Sequence, residues 1–191
     1  MTILTQLRQE IQPKERQSAL LVILTALVAL GLGWGVKTAV ANQTRPFTVR
    51  SISAEIPAGW LVQEGTGELL LVARNPADMD QRYRILLLDG NSDLPLLANQ
   101  HSQNRARLES TFIVLDETAI VADGRDGYKV TYAWVNTPAG QMPIIIEGVD
   151  YYFPVDDQAL VISLEAAQTE FAGAFARFQQ FRASVTYEAG G

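Results

Sequence analysis

The sequence predicts an α+β protein: a single transmembrane helix near the N-terminus, followed by an antiparallel β-sheet flanked by helices. Three observations carry that expectation. Residues 18–36 hold no charged side chain. From residue 47 onward, short apolar runs alternate with turn signals rich in Gly, Pro and Asp, the pattern of strands. Two stretches break that rhythm with apolar residues at helical spacing, 94–109 and the segment after Thr169. Their order, strands interrupted by one helix and closed by another, fits an antiparallel sheet.

The anchor comes first. At about 1.5 Å per residue, 18–36 comes close to spanning the roughly 30 Å hydrocarbon core of a bilayer, and 38–41 adds weakly apolar residues. Lys37 can carry its ammonium to the interface on a long stem, and Trp34 falls where indoles collect at headgroup level. These two residues are the expected membrane-interface anchors. A soluble core helix would carry a polar face, which this run lacks. Ala39-Val40-Ala41 has the small-x-small form of a secretory cleavage site, behind a charged stretch containing Arg8, Lys14 and Arg16. The apolar region exceeds the roughly 7–15 residues of a signal peptide, so a retained anchor is expected over 18–41, with a short tail at 1–17 and a linker at 42–46.

Within the anchor, Gly31 and Gly35 make a G-x-x-x-G spacing, and Thr25, Ala29 and Gly33 repeat every four residues on a neighbouring face. Small residues so spaced form a shallow groove that admits another helix, which makes these five the expected helix-packing interface. The plainer reading, that glycine is common in membrane helices, stays open. A dinucleotide-binding fingerprint is excluded, because its third glycine would fall on Val36 and no strand precedes it.

Residues 47–187 supply enough chain for one domain with its own core, and 188–191 read as a tail. Residues 1–45 hold five Lys/Arg against two Asp/Glu, and 46–191 ten against nineteen, so a +3 segment precedes a −9 domain. An acidic domain argues against nucleic acid and against a surface lying on anionic lipid, both of which call for a basic face. With no cysteine, the chain offers no disulfide, iron–sulfur ligand, thiol nucleophile or c-type haem attachment. Basic residues flank the span almost equally. The likeness to an uncleaved secretory signal places the N-terminus in the cytoplasm and the C-terminal domain outside it, in the periplasm of a bacterium.

Along the domain, 47–56 (FTVRSISAEI) alternates in and out and reads as one strand ending at the turn Pro57-Ala58-Gly59. Residues 60–63, 68–74 and 82–88 follow as strands. Residues 94–109 lack β-branched side chains and space Leu97, His101 and Leu108 for a helix, with Asp93 as N-cap. Strands at 111–122 and 128–135 flank the turn-rich Asp123-Gly124-Arg125-Asp126-Gly127, and 144–155 with 159–164 make a last hairpin. Thr169 would cap a closing helix whose Phe171, Phe175 and Phe178 recur at i, i+4 and i+7 and pack on the sheet.

Ile56-Pro57-Ala58-Gly59-Trp60 resembles the P-x-G-W opening of the PsbP-like family, which includes the extrinsic oxygen-evolving protein of photosystem II, the Ran-binding Mog proteins and many bacterial domains. Ala122-Asp123-Gly124 before Tyr128-Lys129-Val130-Thr131-Tyr132 is similar to the hairpin after that family's central helix. Its ending resembles Tyr151-Tyr152-Phe153, then Ala159-Leu160-Val161-Ile162-Ser163-Leu164, then a helix with Phe171 and Phe178 leading to Phe181-Arg182-Ala183-Ser184. The resemblance spans 47–187. It implies an α/β/α sandwich and a non-catalytic docking role, and it carries no catalytic residue over.

No constellation in the sequence supports an enzyme. His101 is the single histidine, so neither a His-based metal site nor a two-histidine relay is available within the chain. No G-x-S-x-G elbow surrounds a serine, and Gln100, Ser102, Gln103 and Asn104 mark His101 as a solvated residue on a polar helix. A hydrolase would need it beside a serine in a pocket. Asp156-Asp157 could hold a hard cation but reads first as a hairpin tip, and Asp123 with Asp126 does not match EF-hand spacing. Arg74, Arg82, Arg84, Arg105 and Arg107 read as solvated faces of strand and helix in preference to a basic patch against an acidic partner. The expectation is a chain without catalytic residues, cofactor or metal: a single-pass accessory subunit that docks on integral membrane subunits of a larger complex, first of all a respiratory or photosynthetic electron-transport complex. The alternative is a membrane-tethered envelope module that captures a small ligand or peptide.

Overall fold

The computed structural model describes residues 13–41, 43–90, 93–140 and 142–188. The chain divides into two compact units, Met1–Gln43 and Thr44–Gly191. In the first, helix α1 (Pro13–Ala41) contains one window, Ser18–Gly35, of mean hydropathy 2.1, long and apolar enough to cross a membrane and exposed throughout. The tails expected at 1–17 and 188–191 lie largely outside the described residues, as does Asn42 of the linker.

The second unit begins inside the expected linker, because Thr44, Arg45 and Pro46 open strand β1 (Thr44–Val49). Residues 47–56, expected as one strand, belong to two: β1 pairs antiparallel with β2 (Ile52–Pro57) through a two-residue turn in which Arg50 takes φ 51°. The apolar phase slips at the turn, from Phe47 and Val49 to Ile52, Ala54 and Ile56, with two consecutive polar residues, Arg50 and Ser51, between them. At the end of β2, Trp60 N donates to Pro57 O at 3.2 Å and Gly59 adopts φ 83°, a conformation that favours glycine at the third position of such a turn.

The large sheet contains β3 (Leu61–Glu64), β4 (Leu69–Asn75), β5 (Asp78–Asp89), β6 (Ile113–Ala122), β7 (Arg125–Asn136), β8 (Ile144–Val155) and β9 (Gln158–Ala167). Its spatial order is β3-β4-β5-β9-β8-β7-β6, antiparallel throughout. Two helices flank it, α2 (Leu94–Leu108) and α3 (Gln168–Ser184). A second, three-stranded sheet, β1-β2-β10 with β10 at Thr186–Tyr187, is an addition the sequence did not announce.

Central strand β9 is buried on both faces. Leu160, Ile162 and Leu164 join Val149, Tyr151 and Phe153 of β8, Ile52 and Ile56 of β2, and Ala174, Phe178 and Phe181 of α3 in the larger core. Phe171 and Phe175 pack on it half-buried. Thr169 does not cap α3: the helix leaves β9 without a loop, Ala167 stands at the N-cap, and no side chain closes it. Asp93 does cap α2, accepting from Leu96 N at 2.9 Å. The β6–β7 turn is two residues, Asp123 and Gly124, both with positive φ, the combination whose twist suits a hairpin.

Candidate functional site

Helix α2 lies across the other face of the sheet, and its inward stripe is Leu94, Leu97, Ala98, His101, Ser102 and Arg105. The first half is apolar and meets Leu86, Leu88, Tyr152 and Val161. The second half meets charge. The sheet register sets Arg82 beside Glu165, Glu165 beside Gly148 and Gly148 beside Tyr132; the next row runs Arg84, Ser163, Asp150, Val130. A sheet face that elsewhere would be apolar thus carries two arginines and two acids, and α2 adds a third arginine from above.

These groups converge on Glu165, whose side chain is 1% exposed. Arg82 Nε donates to Oε2 at 2.6 Å, while Arg84 Nη2 and Arg105 Nη2 reach Oε1 at 2.5 and 2.8 Å. The Tyr132 hydroxyl lies 3.0 Å from Glu165 Oε1 and 3.2 Å from Asp150 Oδ1, so its one proton is shared between two carboxylates. The guanidinium of Arg105 also stacks over the Tyr132 ring at 4.2 Å and the Phe112 ring at 4.8 Å. Gly148 makes room for this: a Cβ there would collide with the Tyr132 ring. Arg84 Nε, Arg105 Nη1 and Ser163 Oγ are buried without a hydrogen-bond partner.

Burial alone would raise the Glu165 carboxyl, but Arg84, Arg82 and Arg105 outweigh it and hold the group down at about 2. Burial, then Asp150 and Glu165, push the Tyr132 phenol well above its ordinary value, so it remains a donor. His101 is displaced downward by burial; Asp150 pulls the other way, with Arg105 and Arg84 reinforcing burial. Its Nδ1 lies 2.8 Å from the Tyr152 hydroxyl and 3.9 Å from Asp150 Oδ2. The arrangement holds fixed charges in place, and burial disfavours a proton on His101.

Two sequence readings are corrected here. His101 is a half-buried residue on the inner face of α2, because helical spacing puts it in line with Ala98 and Arg105. Of the five arginines read as solvated, Arg82, Arg84 and Arg105 form the core of the cluster. A signal was available: Arg82 and Arg84 sit in phase with Leu86 and Leu88, on the face that must be covered.

Beside His101 lies a pocket of about 210 Å³ lined by Glu68, Leu88, Asp89, Leu97, Gln100, His101 and Asn104. No serine lines it. No group of three or more His, Asp or Glu able to hold a metal occurs among the described residues. Asp156 takes φ 50° in the β8–β9 turn, and Asp123 receives two hydrogen bonds from Arg182 at 3.0 and 3.3 Å, which ties the β6–β7 turn to the end of α3.

The anchor residues occupy α1. Thr25, Ala29, Gly31, Gly33, Gly35 and Trp34 are all exposed, and a Cβ added at any of the three glycines would meet nothing within 4 Å. Thr25 Oγ1 returns to Leu21 O at 2.8 Å. The side chain of Lys37 lies outside the described residues.

No protein-family model and no curated protein matches the chain. Solved structures do. The solution structure of cyanobacterial PsbP (CyanoP) from Synechocystis sp. PCC 6803 matches 76% of this chain and 92% of its own length, with TM-score 0.60 and 12% identity. The chain has the PsbP/Mog-like fold. The crystal structure of the Ran-binding protein Mog1p from Saccharomyces cerevisiae supports the same assignment, with TM-score 0.54, 11% identity, 76% of this chain and 95% of Mog1p covered. At such identities the PsbP/Mog-like fold is shared and residue roles are not.

Proposed function

We propose that the protein is a single-pass, membrane-anchored accessory subunit that docks on integral membrane subunits of a larger complex and stabilises it, without catalysis of its own. The observation that carries this reading is α1: eighteen residues of membrane-compatible helix, exposed along their whole length, with Gly31, Gly33 and Gly35 open to a partner. Among the described residues nothing lies within 4 Å of a Cβ at those positions, whereas a second helix packing at close range needs small residues there.

The short connection supports a bracing role. Only Asn42 and Gln43 separate α1 from β1 in the sequence, a short tether. Such a tether raises the domain's effective concentration at one membrane face. With the N-terminus cytoplasmic, that face is the extracytoplasmic one. The fold shared with cyanobacterial PsbP makes an electron-transport complex, respiratory or photosynthetic, the first assembly to test. The pocket beside His101 is the one observation favouring a tethered binding module, but its roughly 210 Å³ falls short of the roughly 300–1,000 Å³ of ligand sites, which weighs toward docking.

Gly31→Leu combined with Gly35→Leu tests the helix-packing part. The variant keeps an apolar span and resists carbonate extraction from membranes. Co-purification of multi-span partners is lost; unchanged co-purification contradicts the reading.

A further inference from the structure

The domain has two unlike ends. One is where the chain enters it: Thr44 faces Pro57 across β1 and β2, and Arg45 Nη2 donates to Trp60 O at 3.0 Å. The register carries that level across the large sheet, from Leu61 beside Arg74 to Arg74 beside Arg82 and Arg82 beside Glu165. The start of β5 and the end of β7 meet at the same level, where Asn136 Nδ2 donates to Asp80 Oδ1 at 3.0 Å. The connecting residues at this end are 58–60, 76–77, 109–112 and 137–143. Glu109, hydrogen-bonded by Arg105 at 3.1 Å, is the one charged residue among them. At the far end the connecting residues 50–51, 65–68, 90–93, 123–124 and 156–157 bring Glu68, Asp93, Asp123, Asp156 and Asp157 against Arg50 alone. Exposed apolar side chains divide the other way. Nine of the eleven large ones in the domain lie toward the entry end, among them Leu61, Met79, Ile113, Val135, Met142 and Ile145. Scattered singly they would need no explanation, but gathered at one end they mark a contact surface.

We propose that the entry end of the domain rests on the surface of the bilayer that α1 crosses, with these apolar side chains reaching the headgroup boundary. The proposal rests on the reading of α1 as a retained anchor. The connection selects the occupant: Asn42 and Gln43 are the only residues between α1 and Thr44 in the sequence, so the end that takes the chain in has lipid within reach, on whichever side of the membrane the domain stands. The charge layout agrees. β5 and β8 are twelve residues long, which at about 3.3 Å per residue sets the far-end acids roughly 35 Å away. That is several times the roughly 8 Å screening length, so the acids that would be repelled by anionic headgroups are held clear of them. An apolar, almost uncharged end beside the tether, with the acids at the other end, suits a lipid surface.

The absence of cysteine from the chain permits a direct test on the full-length protein in phosphatidylcholine vesicles. A nitroxide is placed at Met142→Cys, Met79→Cys, Leu27→Cys or Asp157→Cys, one at a time. Its collisions with oxygen, which concentrates in lipid, are compared with its collisions with a water-soluble nickel chelate. Met142 and Met79 are exposed, so both labelled variants keep the circular dichroism of the parent. Their oxygen-to-nickel collision ratio is expected to exceed that at Asp157→Cys several-fold, and adding Ile113→Glu with Ile145→Glu to the Met142→Cys chain brings the ratio back toward the Asp157→Cys value. Probes at Met142 and Met79 as open to nickel as the one at Asp157, beside a lipid-buried probe at Leu27, overturn the contact and leave the anchor standing. A Leu27→Cys probe open to nickel refutes the anchor and this proposal with it. Probes at Met142 and Met79 shielded from nickel and oxygen alike reveal a protein contact at this end and overturn the lipid occupant.

Discussion

At the scale of the residue, Glu165 governs the cluster under α2. It partners three arginines while almost wholly buried, so removing its charge strands three cations. Glu165→Gln is expected to cost about 3–5 kcal/mol, read as a lower urea midpoint with an unchanged slope. Acid acts on the same groups. A carboxyl held at about 2 in the fold and near 4.3 when unfolded stabilises the protein fully above pH 5, by roughly 3 kcal/mol, and loses that contribution as pH falls from about 5 to about 2. His101 works in the same direction, since the unfolded chain takes up a proton near pH 6.5 that the fold, with His101 lowered, resists. Stability therefore declines on acidification from pH 7. Urea midpoints measured at pH 7, 5 and 3 check this decline, and in His101→Gln the portion between pH 7 and 5 flattens.

At the scale of the element, α2 covers the cluster, and Asp93 caps its N-terminus. Asp93→Ala removes the cap at Leu96 N and is expected to lower stability by about 1 kcal/mol, with hydrogen exchange rising first along the opening turn. In β8, Gly148→Ala drives a methyl into the Tyr132 ring and is expected to cost about 1–3 kcal/mol, with both Tyr132 hydrogen bonds disturbed. The elements differ in how plainly the sequence announces them. The capped helix α2 and the Phe171–Phe175–Phe178 stripe were legible because each rests on local chemistry; the hairpin after β6 was legible as a hairpin, but its turn is Asp123-Gly124 alone, and Arg125-Asp126-Gly127, expected in the turn, open β7. The β1–β2 hairpin was read as one strand, because its only sequence mark is a slip of one position in the apolar phase at Arg50-Ser51, with no Gly, Pro, Asn or Asp at the turn. The inner face of α2 was not legible either: Arg105 and His101 look solvated in sequence, and only the partners 60 and 51 positions away, Glu165 and Tyr152, make their burial affordable.

At the scale of the molecule, an apolar helix precedes in sequence a domain of PsbP/Mog-like fold with two hydrophobic cores of its own. The domain's fold follows from patterns that any one sequence carries. The partner does not, because helix packing in lipid depends on small residues that are also common for other reasons. Within the domain, the charge cluster ties α2 to the sheet through Arg105 and Glu165. The measurement that bears most directly on the central claim is purification from the native membrane in mild detergent, followed by a native gel with mass spectrometry of co-migrating proteins. The account predicts stable co-migration with multi-span membrane subunits, at a mass well above that of one or two copies of the chain. Migration as this chain alone, as one copy or two, would contradict it.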